Sequence, residues 1–185
     1  MYKRQVPKDC IDDVVRNAVS TIILKNKEQI CCGVIGVQWL MRELSRKGYS
    51  DVAFALATNK KYPSWGYMVE QGATTIWELW NGDKASPKMN SGNHVMLLGD
   101  LITWCYENLG GIRSDRKQDG IGYRKIIMKP NFEIQNLDWV RSSYMTPYGK
   151  VESKWKKTIT HLEWEVSIPC NTVAELTMPD GTIKE

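Results

Sequence analysis

The sequence predicts a helical half followed by an antiparallel β-sandwich, on three observations. Apolar residues before Gly110 recur every three or four positions, those after residue 150 alternate, and a polar charged segment, "GIRSDRKQ" at residues 111–118, separates the two periods. Residues 6–110 are thus read as antiparallel helices, 111–118 as a linker and 119–185 as a β-sandwich domain. The opening "MYKRQ", residues 1–5, matches nothing in the helix that follows and is read as a sequencing scar.

Ile11, Val14, Val15, Ala18, Val19, Ile22 and Ile23 fall on one helical face. Val37, Leu40, Met41 and Leu44 repeat the pattern, with Gly48 as a stop and Ser50 as the N-cap of a short helix through Leu56 that ends before Pro63. A last long helix is expected from Leu97, Leu98, Leu101, Ile102, Cys105 and Leu109, closed by Gly110 and Gly111. Beyond it, Val151, Ser153 and Trp155 alternate with charged residues, as do Leu162, Trp164, Val166 and Ile168, which makes two half-buried strands. Shorter strands are expected at Tyr123 to Met128, Leu137 to Tyr144 and Thr172 to Met178, with "TPYG" and "PDG" as turns. Trp39, Trp104, Trp139, Trp155 and Trp164 lie on the periodic faces and are read as packing.

Composition narrows the function classes. A content of 42% hydrophobic and 25% charged residues is that of an ordinary globular chain. The net charge of +4 divides as +2 before and +2 after Gly111, so no basic tail or face points to nucleic acid. No run of 18 apolar residues exists to span a membrane. Five cysteines, with Cys31 and Cys32 adjacent, fit neither a metal-type spacing nor an easy disulfide set; no metal or organic cofactor is implied. Reduced cysteines favour the cytoplasm, and a secreted parent whose leader lies outside this chain is the other localisation. Eight tryptophans against two phenylalanines is an unusual balance, and indole combines a broad apolar face with a hydrogen-bond donor, as sugar clefts require.

The aromatic richness peaks in "YPSWGYMVEQGATTIWELWNGD", residues 62–83, which has no sustained period. Thr75 followed by Glu78 is a capping-box spacing, under which Trp77 and Trp80 bury one face of a short helix. The alternative is chemical. Glu70 and Glu78 stand among Trp65, Tyr67, Trp77 and Trp80, where aromatic walls desolvate a carboxylate and offer platforms for a pyranose, as a glycosidase acid or base needs.

That segment, followed by "MNSGNHVMLLGDLITWCYENLGGI", resembles the last part of the helical catalytic domain of bacterial α-L-rhamnosidases, glycoside hydrolase family 78. The likeness extends upstream through "GVIGVQWLMRELSRKGYSDVAFAL" and downstream through "YRKIIMKP", "SSYMTPYGKVESKW" and "LEWEVSIPCNTVAELTMP", which resemble the family's C-terminal β-domain. The resemblance implies a partial (α/α)6 barrel before the sandwich. It also implies that Glu78 is the general base of an inverting hydrolysis that releases terminal α-L-rhamnose from a glycoside or polysaccharide. His94 would line the rhamnose pocket, Asn93 would position its loop, Trp65 would form an apolar wall, and Glu70 is the second carboxylate, with an ion pair or a backbone acceptor under the pocket as its plain alternative. Two other readings stay open: another (α/α)6 glycosidase or lyase, and a non-catalytic carbohydrate-binding module in which Glu78 only caps a helix.

The family's general acid comes from an earlier part of the helical domain. About four or five helices precede Gly111, whereas a six-hairpin barrel needs about a dozen, so the chain is read as a C-terminal fragment missing the N-terminal part of the same polypeptide. The β-domain is also read as one strand short. A partial barrel leaves apolar stripes facing water, so the isolated chain is expected to aggregate. Expression of residues 6–185 alone, followed by size-exclusion chromatography and thermal melting, tests this; a monomer with a sharp cooperative transition is the contrary result.

Overall fold

The computed structural model describes residues 6–88, 90–94, 99–115 and 120–185. The chain divides into two compact units, one up to Leu101 and one from Ile102, and each is treated by itself.

The first unit is helical. Helix α1 (Ile11–Ser20) carries Asp12 and Asp13 in its first turn, where their charge complements the helix dipole, and runs into a π-helical turn at Thr21–Lys25. Val19 and Ile22 are buried, whereas Val14, Ile23 and Leu24 on the same segment remain exposed. Helix α2 (Val34–Arg46) buries Val37, Met41 and Leu44, three and four apart as expected. Gly48 stops it at φ +84°, in the left-handed region that glycine enters without a Cβ clash, and the Tyr49 N–H returns to the Leu44 carbonyl at 2.9 Å. Helix α3 (Ser50–Thr58) follows and packs against α2 through Ala53 and Leu56. Ser50 is its first residue and not its cap: Tyr49 holds the cap position, without a side-chain bond. Helix α4 (Trp65–Glu70) is capped by Ser64, whose hydroxyl oxygen accepts from the Tyr67 N–H at 2.9 Å.

The expected last helix is seen as α5 (Asp100–Trp104), continued by a π-helical turn at Cys105–Leu109. Leu97 and Leu98 lie outside the described residues, as does the "MYKRQ" segment.

The second unit is a sandwich of two sheets. Strands β1 (Ile112–Ser114), β2 (Lys125–Met128), β6 (Val173–Thr177) and β7 (Ile183–Lys184) form one in the order β1-β2-β6-β7. Strands β3 (Trp139–Thr146), β4 (Gly149–Lys157) and β5 (Leu162–Ser167) form the other as a meander. Pairing is antiparallel throughout except between β2 and β6, where Ile126 lies beside Ala174 in a parallel ladder. Three residues of the segment read as a linker, Ile112–Ser114, are strand β1.

Period-two alternation in β4 works as the sequence suggests: Val151, Ser153 and Trp155 are buried between charged neighbours. Both sheets contribute to one core of Ile112, Ile126, Met128, Val151 and Ala174, against which Trp164, Val166 and Leu176 pack. Phe132 meets the rings of Trp155 and Trp164 edge-on at 5.6 and 5.2 Å. Both indole N–H groups of this core are satisfied: Trp155 Nε1 donates to the Leu109 carbonyl at 2.8 Å and Trp164 Nε1 to Ser153 Oγ at 3.1 Å. "TPYG" is the two-residue β3–β4 hairpin, with Thr146 opposite Gly149, and "PDG" turns the chain between β6 and β7, where Asp180 Oδ1 accepts from the Thr182 N–H at 2.9 Å.

Two tryptophans depart from the packing expectation. Trp39 is 49% exposed and Trp139 is 64% exposed. Trp139 pairs with Lys156, so the pleat sends it to the opposite face from Val140 and Trp155. A short strand offers two parities, and the sequence alone did not choose between them. Trp39 shares its open helical face with Ile35, four residues earlier and also exposed.

All five cysteines are free. Burial pushes the thiols of Cys32 and Cys105 up to about 11, with the neighbouring Cys31 adding to the shift at Cys32. At pH 8 both therefore stay protonated, and the thiolate is the nucleophile. Alkylation at pH 8 read by mass spectrometry should label the exposed Cys31 and Cys170 well before Cys32 and Cys105. Equal labelling rates would contradict the burial that raises the two thiols.

Candidate active site

The candidate site is built from two extended segments of the first unit laid side by side. The Glu78 N–H donates to the Ser91 carbonyl at 3.0 Å, and the His94 N–H donates to the Ile76 carbonyl at 2.7 Å. Two side chains close the pairing. The Ser91 N–H donates to Glu78 Oε2 at 2.7 Å, and the Thr75 hydroxyl donates to the Gly92 carbonyl.

This geometry overturns the capping-box reading. Residues 75–80 are not helical, Thr75 bonds Gly92 instead of the Glu78 amide, and the Glu78 carboxylate is held by Ser91 thirteen positions downstream. The physical reason is competition: the partner segment, residues 91–94, offers these residues hydrogen bonds in place of those of one helical turn. Glu78 is half-buried, with one carboxylate oxygen fixed by a backbone N–H and Oε1 without a partner among the described residues.

The aromatic residues support this pair of segments. Trp80 is buried and meets the buried ring of Trp65 edge-on, with centroids 5.1 Å apart. Trp77, half-buried, lies over the backbone of Gly82, where a Cβ would come within 2.6 Å of its ring. Any larger residue at position 82 would therefore displace the indole. Tyr67 of α4 donates its hydroxyl to Asp83 at 3.0 Å and stacks edge-on with Tyr62, which ties the helix to the loop carrying the tryptophans.

Each candidate residue has a definite place. His94 is half-buried, and its Nδ1 is buried without a hydrogen-bond partner among the described residues. Trp80 Nε1 is in the same condition. Asn93 is exposed, with its N–H donating to Ser91 Oγ at 3.1 Å, so it shapes the loop through its backbone. Trp65 is 5% exposed and belongs to the packed support. Glu70 ends α4 and forms an ion pair with Lys60 Nζ at 2.8 Å, at the exposed surface and not under a pocket as its plain alternative had it; an exposed pair of this kind contributes little to stability.

Sequence reasoning missed one contributor to the site and one ion pair elsewhere in the unit. Ser91 fixes the Glu78 carboxylate through a backbone group, which leaves no mark in residue type. Arg42 of α2 reaches Asp100 at the start of α5 at 2.6 Å, with the Asp100 side chain only 12% exposed. A signal for it was present: Arg42 interrupts the apolar run Leu40, Met41, Leu44. Among the described residues no group of three or more His, Cys, Asp or Glu side chains is arranged to hold a metal.

Residues 1–109 match the family model of the bacterial α-L-rhamnosidase six-hairpin glycosidase domain, and residues 111–185 match that of the bacterial α-L-rhamnosidase C-terminal domain. A protein of Formosa agariphila named alpha-L-rhamnosidase is 38% identical over 80% of this chain and 16% of its own length. One of Streptomyces avermitilis with the same name is 29% identical over 96% of this chain and 18% of its own. The solved α-L-rhamnosidase from Dictyoglumus thermophilum superposes with a TM-score of 0.83 at 32% identity, covering 95% of this chain and 19% of that one. The Streptomyces avermitilis α-L-rhamnosidase complexed with L-rhamnose gives 0.84 at 30% identity over 94% and 17%. The chain thus spans less than a fifth of the length of these curated relatives.

Thr75→Val removes the hydroxyl bridge to Gly92 and should cost about 1 kcal/mol locally. Hydrogen exchange should then be faster at the amides of Glu78, Ser91 and His94. Unchanged protection would mean that the pairing does not depend on this bridge.

Proposed function

The chain belongs to the bacterial α-L-rhamnosidase family, and from that premise we propose that it is the C-terminal part of an inverting glycoside hydrolase that releases terminal α-L-rhamnose from glycosides or polysaccharides. Glu78 is the general base. The observation that carries this assignment is the Glu78 carboxylate held on one oxygen by the Ser91 N–H at 2.7 Å, with Oε1 left without a protein partner among the described residues. A base needs one oxygen fixed for aim and one free for the proton.

In the proposed step, Oε1 takes a proton from water as the water oxygen bonds to the anomeric carbon, and the bond from that carbon to the glycosidic oxygen breaks on the opposite face. The departing oxygen takes its proton from a general acid that this chain does not supply, in the preceding part of the same polypeptide. His94, whose buried Nδ1 has no hydrogen-bond partner among the described residues, hydrogen-bonds a sugar hydroxyl, and the backbone of Asn93 holds the loop in place. Trp65 and Trp80, packed edge-on, back the segment that carries Glu78 as an aromatic wall, and the Trp80 N–H, without a partner among the described residues, is a second donor for the sugar. Glu70, engaged by Lys60, has no part in the step.

Glu78→Gln in the complete enzyme keeps the shape and the Ser91 contact but removes the proton acceptor. It should lower kcat by about 10²–10⁴-fold while rhamnose affinity changes little. Turnover equal to the unmodified enzyme would reject Glu78 as the base and leave a carbohydrate-binding role for this chain.

A further inference from the structure

The outer face of the β3-β4-β5 sheet carries a feature that the hydrolytic reading does not use. Its register places Trp139, Lys156 and Glu163 on one rung and Arg141, Lys154 and Glu165 on the next. With a side-chain period of two, all six stand on the face opposite Trp155 and Trp164. They line a shallow, open groove of about 550 Å³.

The groove is chemically lopsided. Lys154 and Glu165 neutralise each other at 3.1 Å, and Glu163 turns aside to His161 at 3.2 Å. Arg141 and Lys156 are exposed and have no ion-pair partner among the described residues, although Lys156 stands directly opposite Glu163. Between them lies the Trp139 indole, 64% exposed. The face thus sets an exposed aromatic ring beside two cations that form no ion pair among the described residues, with the Arg141 charge reaching the Glu152 carboxylate. A flat apolar ring takes the C–H face of a pyranose, and a guanidinium fork takes an anionic oxygen pair.

We propose that this groove is a secondary binding surface for an anionic polysaccharide, with a sugar ring on Trp139 and its carboxylate or sulfate ester on Arg141 and Lys156. The choice of a sugar over another anion rests on the chain's place in a carbohydrate-active enzyme. The surface would hold a charged chain near the enzyme without taking part in bond cleavage.

Calorimetric titration of the complete polypeptide tests this with four probes: an oligogalacturonate, which has no rhamnose for the catalytic pocket, a sulfated galactan oligosaccharide, a neutral galactan oligosaccharide and polyglutamate. At least one of the two charged sugars should bind, and which one identifies the anion. Trp139→Ala and, separately, Arg141→Gln should each weaken that binding about tenfold. Turnover of a small aryl rhamnoside should stay unchanged in both variants. The proposal is overturned if neither charged sugar binds, if the neutral galactan or polyglutamate binds as well as the charged sugar, or if either substitution leaves the affinity intact. None of these results bears on Glu78, whose test is turnover.

Discussion

The pairing of residues 75–78 with residues 91–94 is the constraint on which the candidate site depends. It gives an irregular, aromatic-rich segment a fixed conformation without a helix or a sheet, and it does so with backbone bonds at Glu78 and His94 themselves. A catalytic carboxylate on a free loop would sample many positions, and a small displacement is costly to catalysis. Here the same residue donates from its amide and accepts on its carboxylate, both to Ser91, so the side chain and its own backbone are aimed together. The tryptophans then act as ballast. Trp65 and Trp80 bury their rings against each other, and Trp77 rests on Gly82, so the segment has a hydrophobic anchor on each side of the glutamate.

Much of the fold was legible because its signals are periodic. The faces of α2 and β4 followed from spacing alone, and the change of period near Gly111 separated helices from strands. What escaped were features set by partners distant in sequence. The parallel β2–β6 pair joins strands almost fifty residues apart, and nothing in either strand announces its direction. Trp139 was read as packing because it was placed on a periodic face; its register against Lys156 sends it outward.

The candidate site was legible to a different degree. Residue types and family likeness singled out Glu78 and His94, and the two lie on adjacent paired segments. The local rule failed at Thr75, where a spacing that fits a helix start serves a cross-segment bond instead. Such failures are expected at functional sites, where local preference yields to geometry. Ser91 could not be found from its type, since its contribution is an N–H that any residue except proline would supply.

One bond described for the second unit bears on how such a chain can be divided. The indole N–H of Trp155, buried in the sandwich, ends on the carbonyl of Leu109, the last residue of the π-helical turn, while the Asn131 N–H reaches the carbonyl of Asn108. The sandwich therefore completes its interior with helical carbonyls that precede the change of sequence period. A cut placed at that change would strand a buried donor in the strand domain, so the terminal helical turns travel with the sheets, as a plug travels with the vessel it seals.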